Sequence, residues 1–284
     1  MLRLLDKSES KFTLEGLGMD GKVLTAFDRL VHQPHGIVLV TGPTGSGKTT
    51  TLYAGLESLN QPSVKILTAE DPVEYRLPGV YQVGINDKIE LTFARVLRSL
   101  LRQDPDILLV GEIRDNETAD IAVRAAMTGH MVLSTLHTND APSAPVRLLD
   151  MGVPGYMIAS TLRAVIAQRL LRVNCSYCAE LYQPPPQELA WLQHHVGEAE
   201  VAQAKLRCGR GCSRCSGVGF SGRRGIYEVL EVDQGMTEAL QGDDPQLIDK
   251  LARAQIGQRT LAHGAARMAL EGATSVAEAM TIAE

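Results

Sequence analysis

Residues 42–50 read GPTGSGKTT, and the fold follows from this stretch. It meets the spacing G-x-x-x-x-G-K-[ST] in full. The apolar run Ile37-Val38-Leu39-Val40 precedes it, and a helix-forming segment, residues 51–57, comes directly after. Strand, glycine-rich loop and helix in that order make a phosphate cradle: loop N–H groups converge on phosphate oxygens and the helix adds the positive end of its dipole. Gly42, Gly45 and Gly47 let the backbone curl, and Pro43, Thr44, Ser46 and Thr50 complete the cradle. Lys48 is placed to reach the β- and γ-phosphates, and Thr49 to put its hydroxyl on Mg²⁺. A glycine-rich turn matching by chance is the alternative, and the context on both sides argues against it. The expectation is a nucleoside-triphosphate site.

Around this loop, residues 36–135 alternate short β-rich runs with helical periodicity. Strands are expected at 37–41, 65–69, 106–110 and 130–135, with helices at 49–59, 92–102 and 117–128. In the second of these helices Phe93, Val96, Leu97, Leu100 and Leu101 recur at three- and four-residue steps. Such alternation predicts an α/β fold with a mainly parallel sheet covered on both faces. Beyond Asn139 the pattern reads as helical, at 144–151 and 155–171. Residues 174–225 then hold all five cysteines and a Pro184-Pro185-Pro186 turn. Past Ile226 helices are expected again, at 245–254, 259–270 and 275–282, the last opened by a capping box of Ser275 and Glu278.

A phosphate loop alone does not hydrolyse anything. Residues 106–110 form an apolar strand, and Glu112 lies just past its carboxyl end, where parallel sheets bind ligands. From there a carboxylate can orient or deprotonate water. The cluster Glu70, Asp71 and Glu74 closes the strand that starts at Lys65, with Pro72 restricting the backbone between them. Glu70 and Asp71 read as outer-shell Mg²⁺ or water ligands, whereas Glu74 fits an exposed turn equally well. His137 follows the strand at 130–135 and could sense a γ-phosphate, although a lone histidine is as often structural. Arg95, Arg98, Arg102 and Arg114 flank the acids. They form either surface ion pairs of little consequence or arginine contacts to a nucleotide on a neighbouring subunit.

The cysteines supply a second signal. Cys175-x-x-Cys178 and Cys212-x-x-Cys215 are two thiolate pairs separated by residues 179–211. Four thiolates suit tetrahedral Zn²⁺ in a closed, structural site. Cys208 lacks a partner at that spacing.

The formal charge of −5 and an aromatic content of 4% argue against nucleic acid as a partner. No stretch approaches the roughly 20 apolar residues of a membrane span, and residues 1–6 resemble neither a signal nor a transit peptide. The expected location is the cytoplasm.

With these motifs assembled, the chain resembles the secretion ATPases of type II secretion and type IV pilus assembly. GPTGSGKTT resembles their Walker A, TAEDPVEY at 68–75 their Asp box, LLVGEIRD at 108–115 their Walker B and TGHMVLSTLHTNDA at 128–141 their His box. The paired cysteines and GFSGRRGIYEVL at 219–230 are similar to the family's metal subdomain. The resemblance implies a RecA-like P-loop core at 22–171, a tetracysteine zinc module at 172–226 and a helical subdomain at 227–284. It implies ATP and Mg²⁺ as cofactors, with Lys48 on the phosphates and Thr49 on Mg²⁺. Glu112 would be the catalytic glutamate, Glu70 the Asp-box carboxylate and His137 a γ-phosphate contact, with His130 the second histidine of its box. Family members act as homohexamers at the cytoplasmic face of the bacterial inner membrane, beneath a platform protein and in some cases with a cytoplasmic adaptor. Residues 1–21, with the run LRLL at 2–5, resemble the remnant of a preceding domain, so a carboxyl-terminal piece with weak hydrolysis is expected. The competing readings are a RecA-like nucleic-acid motor and a nucleotide switch that does not hydrolyse.

Overall fold

A computed structural model describes residues 13–283. The LRLL run lies outside them. Helix α1 (Gly21–Val31) starts where the Asp20 carboxylate accepts from the N–H groups of Lys22 and Val23, a side-chain cap for amides that the helix cannot pair itself. Strand β1 (Gly36–Thr41) leads through the glycine loop into α2 (Lys48–Leu59). Then follow β2 (Ile66–Glu70), β3 (Tyr81–Gly84), α3 (Phe93–Leu100), β4 (Ile107–Val110), α4 (Asn116–Met127) and β5 (Met131–Leu136). Next come α5 (Ser143–Asp150), α6 (Gly155–Thr161) and the long strand β6 (Leu162–Asn174). The cysteine region contains β7 (Ala179–Leu181), α7 (Pro186–Val196), α8 (Glu198–Gln203) and β8 (Arg207–Gly209). Strand β9 (Phe220–Glu231) precedes α9 (Gln234–Gln241), α10 (Pro245–Ile256), α11 (Leu261–Leu270) and α12 (Val276–Met280).

The main sheet has seven strands in the order β3-β2-β4-β5-β1-β6-β9, and β7 pairs with β8 in a separate two-stranded sheet. Every neighbouring pair of the main sheet is parallel except β6 and β9. This is the expected α/β fold. The unbroken apolar runs are explained by helices on both faces, since alternate residues of one strand enter different cores. Ile37 and Leu39 face α3, α4 and α6, whereas Val38 and Val40 face α1 and α2. The periodic residues Phe93, Val96, Leu97 and Leu100 are all buried on α3, as their spacing predicts.

Three expectations are corrected. The helix expected at 155–171 stops at Thr161, and residues 162–174 form β6. This stretch is buried from Ala164 through Gln168, so it presents no polar stripe by which periodicity could tell helix from strand. Its pairing with β1 and β9 decides the matter. In the same way β9 continues to Glu231, where a helical pattern was expected past Ile226. The domain bounds at 171/172 and 226/227 therefore fall inside strands of the main sheet. Finally, Ser275 does cap α12 by accepting from the Glu278 N–H, but the Glu278 carboxylate does not return to the cap. It accepts instead from the backbone and guanidinium of Arg172 on β6.

Candidate nucleotide site and thiolate cluster

Because the strands are parallel, their carboxyl ends share one edge of the sheet, and most of the expected site residues arrive there together. The glycine loop follows β1, Glu70 closes β2, Glu112 lies just past β4 and His137 just past β5. In the loop, Gly42, Gly45 and Gly47 all have positive φ (148°, 82° and 89°). A Cβ on Gly42 would stand 2.4 Å from the Gln168 carbonyl oxygen and 2.7 Å from Ser46 Oγ, so this close approach needs glycine. Lys48 Nζ folds back to donate to the carbonyls of Gly42 (2.8 Å) and Pro43 (3.2 Å). Burial lowers its pKa, and the nearby charge of Glu112 works in the opposite direction. Thr49 and Thr50 are exposed on the first turn of α2.

The loop fits a triphosphate. Its helix has no side-chain cap on the first amides, and Ser46 Oγ is buried without a hydrogen-bond partner. Uncapped amides and an orphaned hydroxyl at a positive helix end are the donors an anion would take up.

Glu112, with its side chain 13% exposed, is held from two sides. One oxygen meets the Arg114 guanidinium and the other lies 3.3 Å from His137 Nε2. Arg114 also stands 3.8 Å from Asp71, so this exposed carboxylate is the member of the Asp box drawn toward the site. Glu70 is placed differently. It is 3% exposed and accepts from the Tyr53 hydroxyl, the Thr68 hydroxyl (2.6 Å) and the Gln82 amide (3.0 Å). Burial and the bond to Glu70 raise the Tyr53 pKa above its ordinary value. Gln82 in turn donates to the Tyr75 carbonyl and accepts from the Leu77 N–H. In this arrangement Glu70 anchors the loop after β2, which departs from the outer-shell role expected for it. The Asp71–Pro72 peptide is cis.

The other basic residues lie apart. Arg98 pairs with Glu117 at 2.6 Å, Arg102 donates to the Arg98 carbonyl, and Arg95 stands 3.9 Å from Glu90. Among the described residues none of these three contacts the glycine loop. His130 precedes β5 at the opposite sheet edge, its Nδ1 within reach of the Ala125 carbonyl and the Thr128 hydroxyl.

Two residues at the loop escaped the sequence reading. Gln168 on β6 is buried and accepts from the Thr51 hydroxyl at 2.7 Å, beside Gly47. The neighbouring Arg169 donates to the carbonyls of Gln168 and Asn139, and burial lowers its pKa. A polar Gln-Arg pair inside an otherwise apolar run was the available signal, hidden by the helical assignment of that run.

The four paired cysteines converge as their spacing predicts. Their Sγ atoms lie within 4.8 Å of one another, with Cys175–Cys212 at 3.9 Å, Cys178–Cys215 at 3.8 Å and Cys212–Cys215 at 3.7 Å. A tetrahedron with Zn–S bonds of about 2.3 Å has edges of about 3.8 Å, so the donor set fits zinc. The N–H groups of Cys212 and Gly219 point at Cys215 Sγ and help pull its pKa down to about 6, whereas burial pushes the neighbouring Cys178 thiol up. Cys208 stands on β8 opposite Glu180, outside this group.

The family model described as Type II/IV secretion system protein matches residues 1–281. The chain belongs to this family. Type II secretion system protein E of Pseudomonas aeruginosa is 46% identical over 282 residues, covering 99% of this chain and 55% of that protein. Type II secretion system ATPase E of Vibrio cholerae is 47% identical over 255 residues, or 89% of this chain and 50% of that one. Type IV pilus assembly ATPase PilB of Thermus thermophilus is 44% identical over 281 residues, covering 99% of this chain and 31% of PilB. The chain thus spans about half or less of these relatives. Among solved structures, the pilus retraction motor PilT with bound ADP aligns with a TM-score of 0.68 at 29% identity, over 95% of this chain and 66% of PilT. A Legionella pneumophila ATPase, DotB, shares the fold at the same TM-score and 24% identity.

Proposed function

We propose that this member of the type II/IV secretion family hydrolyses ATP to power type II secretion or type IV pilus assembly. The observation that carries the reading is the placement of Glu112: a carboxylate oriented by Arg114 and His137, close enough for its charge to act on Lys48 of the phosphate loop. The relatives named as ATPases add support, because this chain matches them across most of its own length.

In this mechanism the loop amides and Lys48 hold the β- and γ-phosphates. On binding, Lys48 exchanges the carbonyls of Gly42 and Pro43 for phosphate oxygens. Glu112 takes the proton of the attacking water, and His137, which shares its carboxylate, faces the γ-phosphate. The Thr49 hydroxyl would hold Mg²⁺, which would supply neutralisation of phosphate charge. The cysteine cluster would hold Zn²⁺ as a structural ion.

A ring of six copies is the working form in this reading, with Arg98 or Arg102 available to a neighbour's nucleotide, whereas Arg114 is engaged by Glu112 of its own chain. The inner-membrane platform protein would be its partner and a cytoplasmic adaptor its tether, at the cytoplasmic face of the membrane. No described helix is long and apolar enough to cross a membrane.

The test is ATP turnover measured against protein concentration, for the wild type and for Glu112→Gln. Turnover that rises with concentration and disappears in the variant is expected. Equal rates in both chains would overturn the assignment of Glu112, and salt-dependent DNA binding with DNA-stimulated turnover would favour the nucleic-acid motor.

A further inference from the structure

The GFSGRRGIYEVL stretch follows the last cysteine pair, yet its glutamate reaches the nucleotide edge. Glu228 on β9 is 4% exposed. One of its oxygens accepts from the Ala141 N–H at 2.9 Å and the other from the Leu261 N–H at 3.2 Å. Ala141 lies near the end of the loop between β5 and α5, the loop that carries His137. Leu261 is the first residue of α11. A single buried carboxylate therefore joins the His137 loop to the carboxyl-terminal helices.

The rest of that loop is held residue by residue. His137 stands against Glu112 at 3.3 Å. The Thr138 N–H donates to Thr41 Oγ1 at the end of β1 (2.8 Å), and the Asn139 carbonyl accepts from Arg169 (2.8 Å). Asp140 accepts from Arg253 on α10 at 3.1 Å. Glu228 closes this series at its far end, and it is the charged member with the least exposure to water.

The chemistry of the contact demands a carboxylate. Two backbone N–H groups converge on one short side chain, and both of its terminal atoms must accept. Glutamine offers one acceptor and one donor, so it can serve one amide and must turn an N–H toward the other. Burying a charged group is costly unless it is hydrogen-bonded. A packing contact alone would not call for one here.

We infer that Glu228 is a positioning residue for ATP hydrolysis: from β9 it fixes the loop that presents His137 to Glu112. The inference rests on the proposed hydrolytic reading. It also gives the motif around Glu228 a task in the nucleotide site, where its sequence position beside the cysteines points to the zinc module.

The experiment compares the 284-residue wild type with Glu228→Gln, each with and without His137→Ala. Three quantities are read: kcat, KM for ATP, and the NMR signal of the His137 ring in nucleotide-free protein. Glu228→Gln is expected to lower kcat by about one to two orders of magnitude, with KM changed by less than about threefold. The His137 ring signal should move toward its position in Glu112→Gln. In the His137→Ala background, adding Glu228→Gln should change kcat by less than about twofold, because the two residues act through one contact. Fully additive losses, or an unmoved His137 signal with unchanged kcat, would overturn the inference. Should Glu228→Gln fail to fold, Arg253→Gln removes the second tie to the same loop from a half-exposed position. It must then lower kcat non-additively with His137→Ala, or the inference fails. A wild-type chain that hydrolyses no ATP would sink the hydrolytic reading, while the His137 signal would still report whether Glu228 positions the loop.

Discussion

Lys48 and Glu112 carry the sharpest consequences at the scale of single residues. Lys48→Ala should abolish ATP binding in a fluorescent-nucleotide titration, because the lysine already stands over the loop, bonded to Gly42 and Pro43. Glu112→Gln should bind ATP as the wild type does and lose turnover, since in the proposed mechanism it removes only the base. Tyr53 and Glu70 give a prediction of a different kind. The Tyr53 hydroxyl is buried and donates to a buried carboxylate, so Tyr53→Phe should cost about 1.5–3 kcal/mol in urea unfolding. A negligible loss would mean that Glu70 is free to serve elsewhere, as first expected from its place in the Asp box. The phosphate loop and Glu112 were legible in the sequence because their chemistry needs residues at fixed spacings along one chain segment. Gln168, Arg169 and Glu228 were not legible, because Gln168 meets α2 117 residues away and the other two hold the loop after β5, 30 and 87 residues away.

Elements show how distant segments are held together. The cysteine module needs glycine at two points of close approach and, in the proposed reading, a metal as well: a Cβ on Gly209 would stand 1.8 Å from the Gly219 carbonyl oxygen, and one on Gly219 would stand 2.3 Å from that of Gly209. Cys212→Ser should therefore lower the melting temperature and reduce the zinc content from about one equivalent, as should chelation of the wild type. Well-folded, metal-free wild type would count against the zinc site. Strand β6 and helix α12 are joined by Arg172 and Glu278. Burial pulls the Glu278 pKa up, but the Arg172 guanidinium and N–H outweigh it and leave the carboxyl below its ordinary 4.5. A depressed folded-state pKa means that the pair stabilises the fold above pH 4.5 and loses that contribution as pH falls through the folded value. Arg172→Met should thus melt lower than the wild type at pH 7, and the gap should narrow on acidification. A gap that stays constant with pH would mean that the ion pair adds nothing. The cysteine pairs announced this region in the sequence, whereas β6 did not announce itself as a strand. Its run of buried residues suits either periodicity until β1 and β9 pair with it.

For the whole molecule, the arrangement of the sheet brings four separated motifs to one edge, and it also runs β6 and β9 through the boundary between core and cysteine region. Heat or denaturant should consequently unfold the core sheet and the β6–β9 pair together, so that tryptophan fluorescence and far-ultraviolet circular dichroism give coincident transitions. Trp191 lies on α7, in the cysteine region, and reports on that part of the chain. Two separated transitions would show that the module folds independently of the sheet. The sequence by itself determined the phosphate loop, the acid Glu112 just past β4, the thiolate pairs and the family, because each is written in local spacing that one segment can satisfy alone. Only the tertiary structure decided that Glu70 is buried in a hydrogen-bonded network, that residues 162–174 are a strand, and that Glu228 holds the His137 loop. Those outcomes depend on which partner satisfies a buried polar group or an unpaired backbone edge, and that partner is chosen by packing across the sheet rather than by neighbours along the chain.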